Sequence, residues 1–299
     1  MKNCNICPRK CLVDRYNGEI GFCGLKPGIY LSSAVVHYGE EPCFSGNSGV
    51  GNLFFTSCNL GCVYCQNYQI SQLRKGVPVS EDYLIDQMFK FQDQNVSFLG
   101  LVSPSHQAPW IRKALIKAKK MGLIIPVLYN SSSYDLVSEL KKWEGIIDIY
   151  LADFKYSSEN IAKRLSNVTN YVKVAKKAIY EMYKQSGPIV VKNGIAKKGL
   201  WIRHLVLPNR MAGTWECLCY LALEVSTNIG ISIMAQYEPV YNAFKYKEIS
   251  RNINEIEYNE AVAMANDLGF EYIITQDIET SPKNAIPDFN LEDPFKNYE

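Results

Sequence analysis

After about residue 50, short apolar runs rich in β-branched and aromatic residues alternate with amphipathic stretches that carry Lys and Glu. This alternation is typical of repeated βα units, in which helices cover a parallel sheet. Each run is almost continuously apolar, as expected for strands that are buried on both faces. The six predicted strands are residues 52–56, 97–102, 124–129, 146–154, 202–207 and 230–235.

Six βα units are too few to close a standard eight-stranded barrel. The pattern therefore predicts an α/β fold with an open, partial (β/α)6 TIM-like barrel, whose active site lies at the carboxyl ends of the strands. We expect a cysteine-rich, metal-binding N-terminal module over residues 1–47, the barrel over 48–280, and an irregular C-terminal tail over 281–299 that holds three prolines among acidic residues.

Composition narrows the class of protein. The chain has 299 residues and 47% hydrophobic content, enough to bury a large core. Its 32 basic and 30 acidic side chains give a net charge of +2, so no strong positive field is available for a nucleic acid. The first ten residues lack the apolar segment of a signal peptide, and no apolar run reaches membrane-spanning length. We expect a cytoplasmic protein without nucleic-acid or membrane partners.

The ten cysteines are unevenly distributed, because eight of them precede residue 66. Cytoplasmic thiols stay reduced, and clustered ones are more often metal ligands than disulfide partners. The other two, Cys217 and Cys219, lie two positions apart on a predicted helix, so their side chains diverge. We interpret them as buried apolar residues.

Cys58, Cys62 and Cys65 form a C-x3-C-x2-C loop directly after the first predicted strand. Thiolates select zinc or iron–sulfur clusters, and an iron–sulfur cube normally takes four of them. A local group of three therefore indicates a [4Fe-4S] cluster with one iron open to another ligand. Zinc is the alternative, but a structural zinc site requires a closed set of four ligands.

This loop, with the aromatic Tyr64 before its last cysteine, resembles the motif of the radical S-adenosylmethionine (SAM) superfamily. The resemblance implies that the open iron chelates SAM through its amino and carboxylate groups. An electron from the reduced cluster then breaks the C5′–S bond and yields methionine and a 5′-deoxyadenosyl radical, which abstracts hydrogen from a substrate. The protein binds and orients these groups and excludes water.

Further stretches resemble the pyruvate formate-lyase activating enzyme-like branch of that superfamily; they are 7–11, 39–46, 65–71, 153–156, 203–208, 287–289 and 294–295. The branch implies abstraction of hydrogen from a glycine of a protein or peptide partner, such as a glycyl radical enzyme. It also implies an electron donor such as flavodoxin or ferredoxin. The alternatives are radical SAM modification of another protein or a small molecule, and a non-catalytic zinc or cysteine-rich scaffold.

The resemblance also implies SAM-binding residues at the strand ends. Many activating enzymes have a Gly-Gly-Glu motif at the position of Ser103. This difference weakens the transfer of the motif's SAM-binding role to Ser103. Asn130 is expected near the ribose, and Asp153 and Lys155 match an Asp-x-Lys motif at the SAM carboxylate, for which a surface salt bridge is the alternative. His204 matches a SAM-contacting histidine but is otherwise a core residue. Tyr64 is expected beside the adenine, and core packing explains it as well.

Cys4, Cys7, Cys11 and Cys23 follow a C-x2-C-x3-C-x11-C spacing and can close one metal site. Three interpretations remain open, namely a structural zinc, a second iron–sulfur cluster that relays electrons, and free thiols. Cys43 is a fifth candidate ligand or a small buried residue. Because a segment this short cannot bury its own core, we expect a module that is held together by its metal and packed beside the barrel.

Overall fold

The structure is a computed structural model and describes residues 2–279 and 286–296. In this part of the chain one sheet holds ten strands. They are β1 Ile29–His37, β2 Val50–Phe55, β3 Val77–Val79, β4 Phe98–Val102, β5 Val127–Ser131, β6 Ile149–Asp153, β7 Val190–Lys192, β8 Ile195–Leu205, β9 Gly230–Met234 and β10 Tyr272–Thr275.

The same residues form nine α-helices, of which the longer ones pack against the sheet. They are α1 Pro42–Ser45, α2 Tyr68–Ser71, α3 Glu81–Asp93, α4 Ala108–Lys120, α5 Val137–Leu140, α6 Glu159–Ser166, α7 Tyr171–Ser186, α8 Thr214–Glu224 and α9 Glu255–Asp267. Local sequence fixes their ends. Ser80 Oγ accepts from the Tyr83 backbone N–H at 3.0 Å and caps α3, while Asn254 and Glu257 form a capping box at the start of α9.

The strands follow the order β10-β9-β8-β6-β5-β4-β2-β1-β3, and β7 pairs with β8 outside this path. The run from β10 to β2 is parallel, whereas β1 is antiparallel to β2 and to β3. The predicted fold class, an open α/β barrel, is confirmed. All six predicted strands are present. The seventh parallel strand, β10, and the antiparallel β1 and β3 were not predicted.

Two differences concern the domain limits. The boundary at residue 47 stays a prediction, but β1 is hydrogen-bonded along β2 from Leu31 to His37 and is therefore part of the barrel sheet. Of the predicted tail, residues 281–285 and 297–299 lie outside the described residues. The described part, 286–296, packs on the barrel, where the rings of Phe289 and Phe295 lie 5.3 and 5.7 Å from that of Phe54.

An aromatic plug fills the floor of the barrel. The short helix α1 inserts the fully buried Phe44, whose ring lies 5.3 Å from that of Trp201 on β8 and 6.0 Å from that of Phe98 on β4. Other inward-facing apolar residues of the strands complete the floor. Because side chains alternate along a strand, the next inward positions lie one layer above this plug. There they are mostly polar, and they line the cavities described below.

The N-terminal module is tied to the barrel by a buried arginine. Arg15 is 1% exposed, and its Nε and Nη2 donate to the carbonyls of Leu25 and Lys26 at 3.1 and 2.6 Å. Its Nη1 reaches the His106 carbonyl at 3.4 Å, and its guanidinium lies over the Trp110 ring. Among the described residues, no helix has both the length and the apolar character needed to cross a bilayer.

Candidate active site

The C-x3-C-x2-C loop leaves the carboxyl end of β2 and crosses the barrel mouth. It is held by two backbone bonds to the end of α6, from Gly61 N–H to the Ser166 carbonyl and from Val63 N–H to the Leu165 carbonyl, each 2.9 Å long. The sulfurs of Cys58, Cys62 and Cys65 line one cavity of about 210 Å³. The loop therefore points its three predicted ligands into a single space.

Each of these sulfurs is within reach of a hydrogen-bond donor of the protein. The Leu60 backbone N–H lies 3.4 Å from Cys58 Sγ, Ser166 Oγ lies 3.0 Å from Cys62 Sγ, and Ser71 Oγ lies 3.1 Å from Cys65 Sγ. Donors that bond to a thiolate stabilise its charge and tune the reduction potential of a bound cluster. The loop thus carries a set of groups suited to a metal-bound thiolate.

The three thiols are costly to ionise on their own. Burial, together with repulsion between the thiolates, raises the pKa of Cys58 to about 12 and that of Cys65 to about 11. Burial also raises the pKa of Cys62, although Lys155 and Ser166 oppose the shift. A cationic iron centre removes this penalty when it binds, because metal ligation replaces the thiol proton.

Five of the predicted SAM-binding residues line the same cavity, namely Tyr64, Ser103, Asn130, Asp153 and Lys155. They come from the cysteine loop and from the ends of β4, β5 and β6. Their assignment to particular SAM atoms stays a prediction. Their convergence follows from the parallel order of these strands, which brings their carboxyl ends to one edge.

Asp153 and Lys155 form an ion pair at the cavity wall, with Lys155 Nζ 2.6 Å from Asp153 Oδ2. The side chains are 26% and 18% exposed, so the pair is more sheltered than an ordinary surface salt bridge. Burial alone would lower the pKa of Lys155, but Asp153 and the Cys62 thiolate outweigh it and raise that pKa. Lys155 is therefore a fixed positive charge beside the cysteine loop.

Ser103 follows β4 in the left-handed backbone region, with φ of 57°. Its N–H donates to the Asn130 carbonyl at 2.9 Å and so links β4 to β5 at the cavity. This conformation costs little for glycine and more for serine. The position that the resemblance assigns to glycine in many activating enzymes thus keeps a glycine-like backbone here, although the side chain differs.

A chain of hydroxyl groups connects Tyr64 with one of the cysteines. The Tyr64 and Tyr156 hydroxyls are 2.5 Å apart, Tyr156 lies 2.7 Å from Ser166 Oγ, and Ser166 lies 3.0 Å from Cys62 Sγ. Burial raises the pKa of both tyrosines well above the usual value, so both stay neutral. Tyr64 is thus joined to the cluster ligands through hydrogen bonds as well as through its place in the loop.

His204 does not reach the cavity. Its ring is fully buried, Nδ1 lies 2.8 Å from the Phe154 carbonyl, and Nε2 lies 3.0 Å from Thr214 Oγ1 of α8. Both ring nitrogens are therefore engaged within the protein, on the helix side of β8. Its neighbour Arg203 points inward instead and lines the cavity. The Arg-His stretch contributes to this site through its arginine.

Arg203 belongs to a buried polar network that sequence reasoning did not assign. It contacts the carboxylates of both Glu40 and Glu41, with Nε 2.9 Å from Glu41 Oε1. Asn52 donates to Glu40 at 2.7 Å, and Ser232 donates to Glu41 at 2.6 Å. Burial would raise the pKa of Glu40, but Arg203 outweighs it and lowers that pKa. The sequence signal for this network is the Glu-Glu-Pro-Cys stretch at residues 40–43, within the stretch 39–46 that carries the resemblance.

A larger cavity of about 720 Å³ adjoins the cysteine cavity. Both are lined by Gln66, Asn130, Arg203 and Gln236, so the two cavities share a wall inside the barrel. Glu40 and Glu41 lie on the wall of the larger cavity. The described part of the C-terminal tail also contributes to that wall, chiefly through Asp293 and Phe295.

The other cysteines fall into two groups. Cys4, Cys7, Cys11 and Cys23 line a separate small cavity in the N-terminal module, as their spacing predicts. Cys43 lies in the aromatic plug and does not line that cavity, and Cys217 is fully buried in α8. In the described part of the chain, no group of three or more His, Cys, Asp and Glu side chains is arranged to hold a single metal ion.

The profile of the radical SAM superfamily matches residues 52–209, which include the cysteine loop and the strands β4, β5 and β6. The chain belongs to the radical SAM superfamily. Radical SAM enzymes use a [4Fe-4S] cluster and SAM. The site fits these groups, because three hydrogen-bonded cysteines and a buried cation face one cavity. In a cubane cluster each thiolate binds a different iron, so the ligand sulfurs do not converge on one ion.

Two similar proteins come from Methanocaldococcus jannaschii. Uncharacterized protein MJ0674 is 30% identical over 281 residues, which cover 91% of this chain and 77% of that protein. Uncharacterized protein MJ0808 is 22% identical over 291 residues, which cover 90% and 80%. Both alignments extend well beyond residues 52–209, so the likeness includes parts of the chain outside the radical SAM profile.

Among solved structures, the crystal structure of HydG, a maturase of the [FeFe]-hydrogenase, superimposes with a TM-score of 0.53 and 14% sequence identity. The match covers 78% of this radical SAM chain and 53% of HydG, so the chain spans about half the length of that protein. At this identity the likeness concerns the fold alone.

Proposed function

We propose that this radical SAM enzyme belongs to the pyruvate formate-lyase activating enzyme-like branch and abstracts hydrogen from a backbone glycine of a partner protein. The supporting observation is that the cysteine cavity and the 720 Å³ cavity share lining residues. A radical formed in the first would lie next to a substrate bound in the second. Cavities of several hundred Å³ are typical of ligand sites.

With cluster and SAM bound, one-electron reduction supplies methionine and the 5′-deoxyadenosyl radical. The chain's own residues hold the cluster and orient SAM. Cys58, Cys62 and Cys65 would bind three irons and leave the fourth for SAM. Lys155 would pair with the SAM carboxylate, and the Ser103 hydroxyl or carbonyl would accept from its ammonium group. A reduced flavodoxin or ferredoxin is the proposed electron donor.

A chain of amides on the wall of the larger cavity favours a peptide substrate. Gln66 Nε2 donates to the Gln236 carbonyl at 2.7 Å, Gln236 Nε2 lies 3.1 Å from Gln66 Oε1, and Gln276 Nε2 donates to Gln236 Oε1 at 3.0 Å. Side-chain amides present both donors and acceptors, as the peptide backbone does. An extended peptide could therefore pair with this wall by exchanging hydrogen bonds with it.

Modification of a small polar molecule is the second candidate, and the C-terminal segment favours it. Pro287, Asp293, Phe295 and Lys296 line the larger cavity, so the segment takes up part of the space around it. A protein loop would compete with this segment for that space more than a small molecule would. The charged cluster formed by Arg203, Glu40 and Glu41 would then select a substrate that carries complementary polar groups.

Anaerobic reconstitution with iron and sulfide, followed by addition of dithionite and SAM, tests whether the protein cleaves SAM. We expect 5′-deoxyadenosine to accumulate, as measured by liquid chromatography. Cys62→Ala should abolish 5′-deoxyadenosine formation. Cys219→Ala should not, because Cys219 lines neither the cavity of the catalytic loop nor that of the N-terminal cysteines. Failure of the reconstituted wild-type protein to form 5′-deoxyadenosine would refute the proposal.

Electron spin resonance then separates the two candidate substrates. Incubation with proteins encoded beside this one should give a persistent glycyl radical signal on one of them. A small-molecule substrate would instead raise 5′-deoxyadenosine formation without any protein-borne signal. Absence of the glycyl signal with every such partner would favour the second candidate.

A further inference from the structure

The four N-terminal cysteines line one small cavity that the barrel chemistry does not use. Cys4, Cys7, Cys11 and Cys23 all line it, although they are spread over twenty residues of sequence. The backbone brings them together through a short pairing, with Cys4 N–H donating to the Val13 carbonyl at 3.0 Å. Four thiols around one closed space form a complete metal-binding set.

The size of this cavity distinguishes between metals. Four thiolates about 2.3 Å from one zinc ion are packed around it and leave no room for a water-sized sphere. Here the centre of such a sphere can move over about 10 Å³, which is roughly the volume of one sphere. These four cysteines, all within the described part of the chain, are not arranged to hold a single metal ion, which also disfavours a tetrathiolate zinc site. Thiolates on the four irons of a cubane stand farther apart.

Hydrogen-bond donors face these sulfurs, as they do in the catalytic loop. The Phe22 N–H lies 3.3 Å from Cys11 Sγ, and the Arg9 and Leu25 N–H groups bond to Cys7 and Cys23. Gly21 makes the first of these approaches possible, because a Cβ there would lie 3.0 Å from Cys11 Sγ. These bonds stabilise thiolates, the form in which cysteine binds a metal.

Arg9 provides an independent indication of an anionic occupant. It lines the cavity, and its Nη2 is buried without a hydrogen-bond partner. The rest of the side chain is fixed, since Nε donates to the Asn59 carbonyl at 2.7 Å and the guanidinium lies 3.6 Å above the Phe22 ring. An orphaned cationic nitrogen is costly unless it meets an acceptor. The sulfides of a negatively charged cluster would supply one.

We propose that Cys4, Cys7, Cys11 and Cys23 hold a second [4Fe-4S] cluster, with Arg9 against one of its faces. The site adjoins the catalytic loop. Ser57 Oγ, just before Cys58, donates to the Cys23 carbonyl at 2.6 Å, and Asn59 of that loop lines the N-terminal cavity. The two clusters would share a wall made by the start of the loop.

The decisive variant removes the catalytic ligands and keeps the module. Cys58→Ala/Cys62→Ala/Cys65→Ala protein, produced anaerobically with iron and zinc in equal supply, should retain about four irons and four sulfides per chain. Its Mössbauer spectrum should show a [4Fe-4S] cluster, and the wild-type protein should hold about eight irons. One zinc per chain, or no metal, in this variant would overturn the proposal.

A reciprocal variant guards against misfolding. Cys7→Ala/Cys11→Ala should lose about four irons and keep the catalytic cluster, while Cys43→Ala and Cys219→Ala should keep both. If the reciprocal variant fails to fold, the metal content of the triple variant still decides. If the triple variant lacks iron while the wild-type protein cleaves SAM, this inference alone is refuted. If the triple variant retains its four irons while the wild-type protein does not cleave SAM, only the proposed function is refuted.

Discussion

At the scale of single residues, Lys155 sets the charge of the catalytic cavity. Its ammonium group is paired with Asp153 and sheltered from solvent, so it is available to a carboxylate at low desolvation cost. We expect Lys155→Met to weaken SAM binding by about 10-fold to 100-fold, equivalent to about 1.4–3 kcal/mol. Equilibrium dialysis of reconstituted protein with labelled SAM measures this.

Lys113→Met is the matched control. Lys113 also pairs with a carboxylate, Glu81, but its side chain is 74% exposed and lies on the helix layer. Its removal should leave SAM affinity unchanged, because exposed pairs contribute little. If Lys155→Met and Lys113→Met bound SAM with equal affinity, Lys155 would not be a SAM-binding residue.

His204 makes stability depend on pH. Burial lowers the pKa of His204 to about 4, below the usual value of 6.5. Between these two values the unfolded chain binds a proton at His204 and the folded chain does not. Between pH 6.5 and 4 the free energy of unfolding should fall, by up to about 3 kcal/mol from this residue. Urea titrations of wild-type protein and His204→Gln at several pH values check it.

The variant should show a shallower decline on acidification. Part of the slope will remain, because burial also lowers the pKa of His106 to about 4. Parallel curves for wild-type protein and variant would contradict the assignment of this pH dependence to His204.

The site could be predicted from sequence wherever a motif fixed the residue and its direction. The three cysteines and the Asp-x-Lys pair are such cases, since both motifs place their side chains at a strand end. The Arg203–His204 stretch shows the limit. Strand alternation turns Trp201, Arg203 and Leu205 inward and His204 outward, but an apolar strand does not reveal which of its faces is the inner one.

At the scale of elements, helix caps provide a matched pair of serines. Ser80 caps α3 with a side-chain hydrogen bond, whereas Ser158 precedes α6 without one. Ser80→Ala should lower the free energy of unfolding by about 1 kcal/mol, and Ser158→Ala should change it by much less. Chemical denaturation of both variants tests this, and equal losses would show that the cap bond is not the cause.

The parallel strands were predicted because each is a buried apolar run between helical stretches. The unpredicted strands lack that signal. β10 has four residues and none is buried, and β3 is likewise exposed or half-buried. β1 is mostly half-buried and precedes the first βα unit, so it reads as part of the N-terminal module. Their positions depend on pairing with distant strands, which a local pattern does not contain.

At the scale of the whole molecule, Phe289 and the residue before it help to hold the C-terminal segment 286–296 on the barrel. Phe289 is 5% exposed and packs on Phe54, while Gln69 bonds to Asp288 and to the Phe289 N–H. Phe289→Ala should release the segment, because the burial of the Phe289 side chain contributes about 2–3 kcal/mol to holding it in place. Hydrogen exchange should then speed up across 286–296 while iron content stays unchanged.

Leu291→Ala is the control within the same segment, because Leu291 is 39% exposed. Exchange there should match that of the wild-type protein. If Phe289→Ala left exchange in the segment unaltered, Phe289 would not be the anchor. A released segment that also raises turnover of a protein partner would favour the first candidate substrate over the second.

The linear strand order, with β10 at one end and β3 at the other, has a mechanical consequence. A closed barrel fixes its circumference through an unbroken ring of backbone hydrogen bonds. Here no ladder joins the two ends among the described residues, and side chains of the tail lie against the larger cavity instead. The curvature of the sheet is therefore not fixed by a closed ring of backbone hydrogen bonds among these residues.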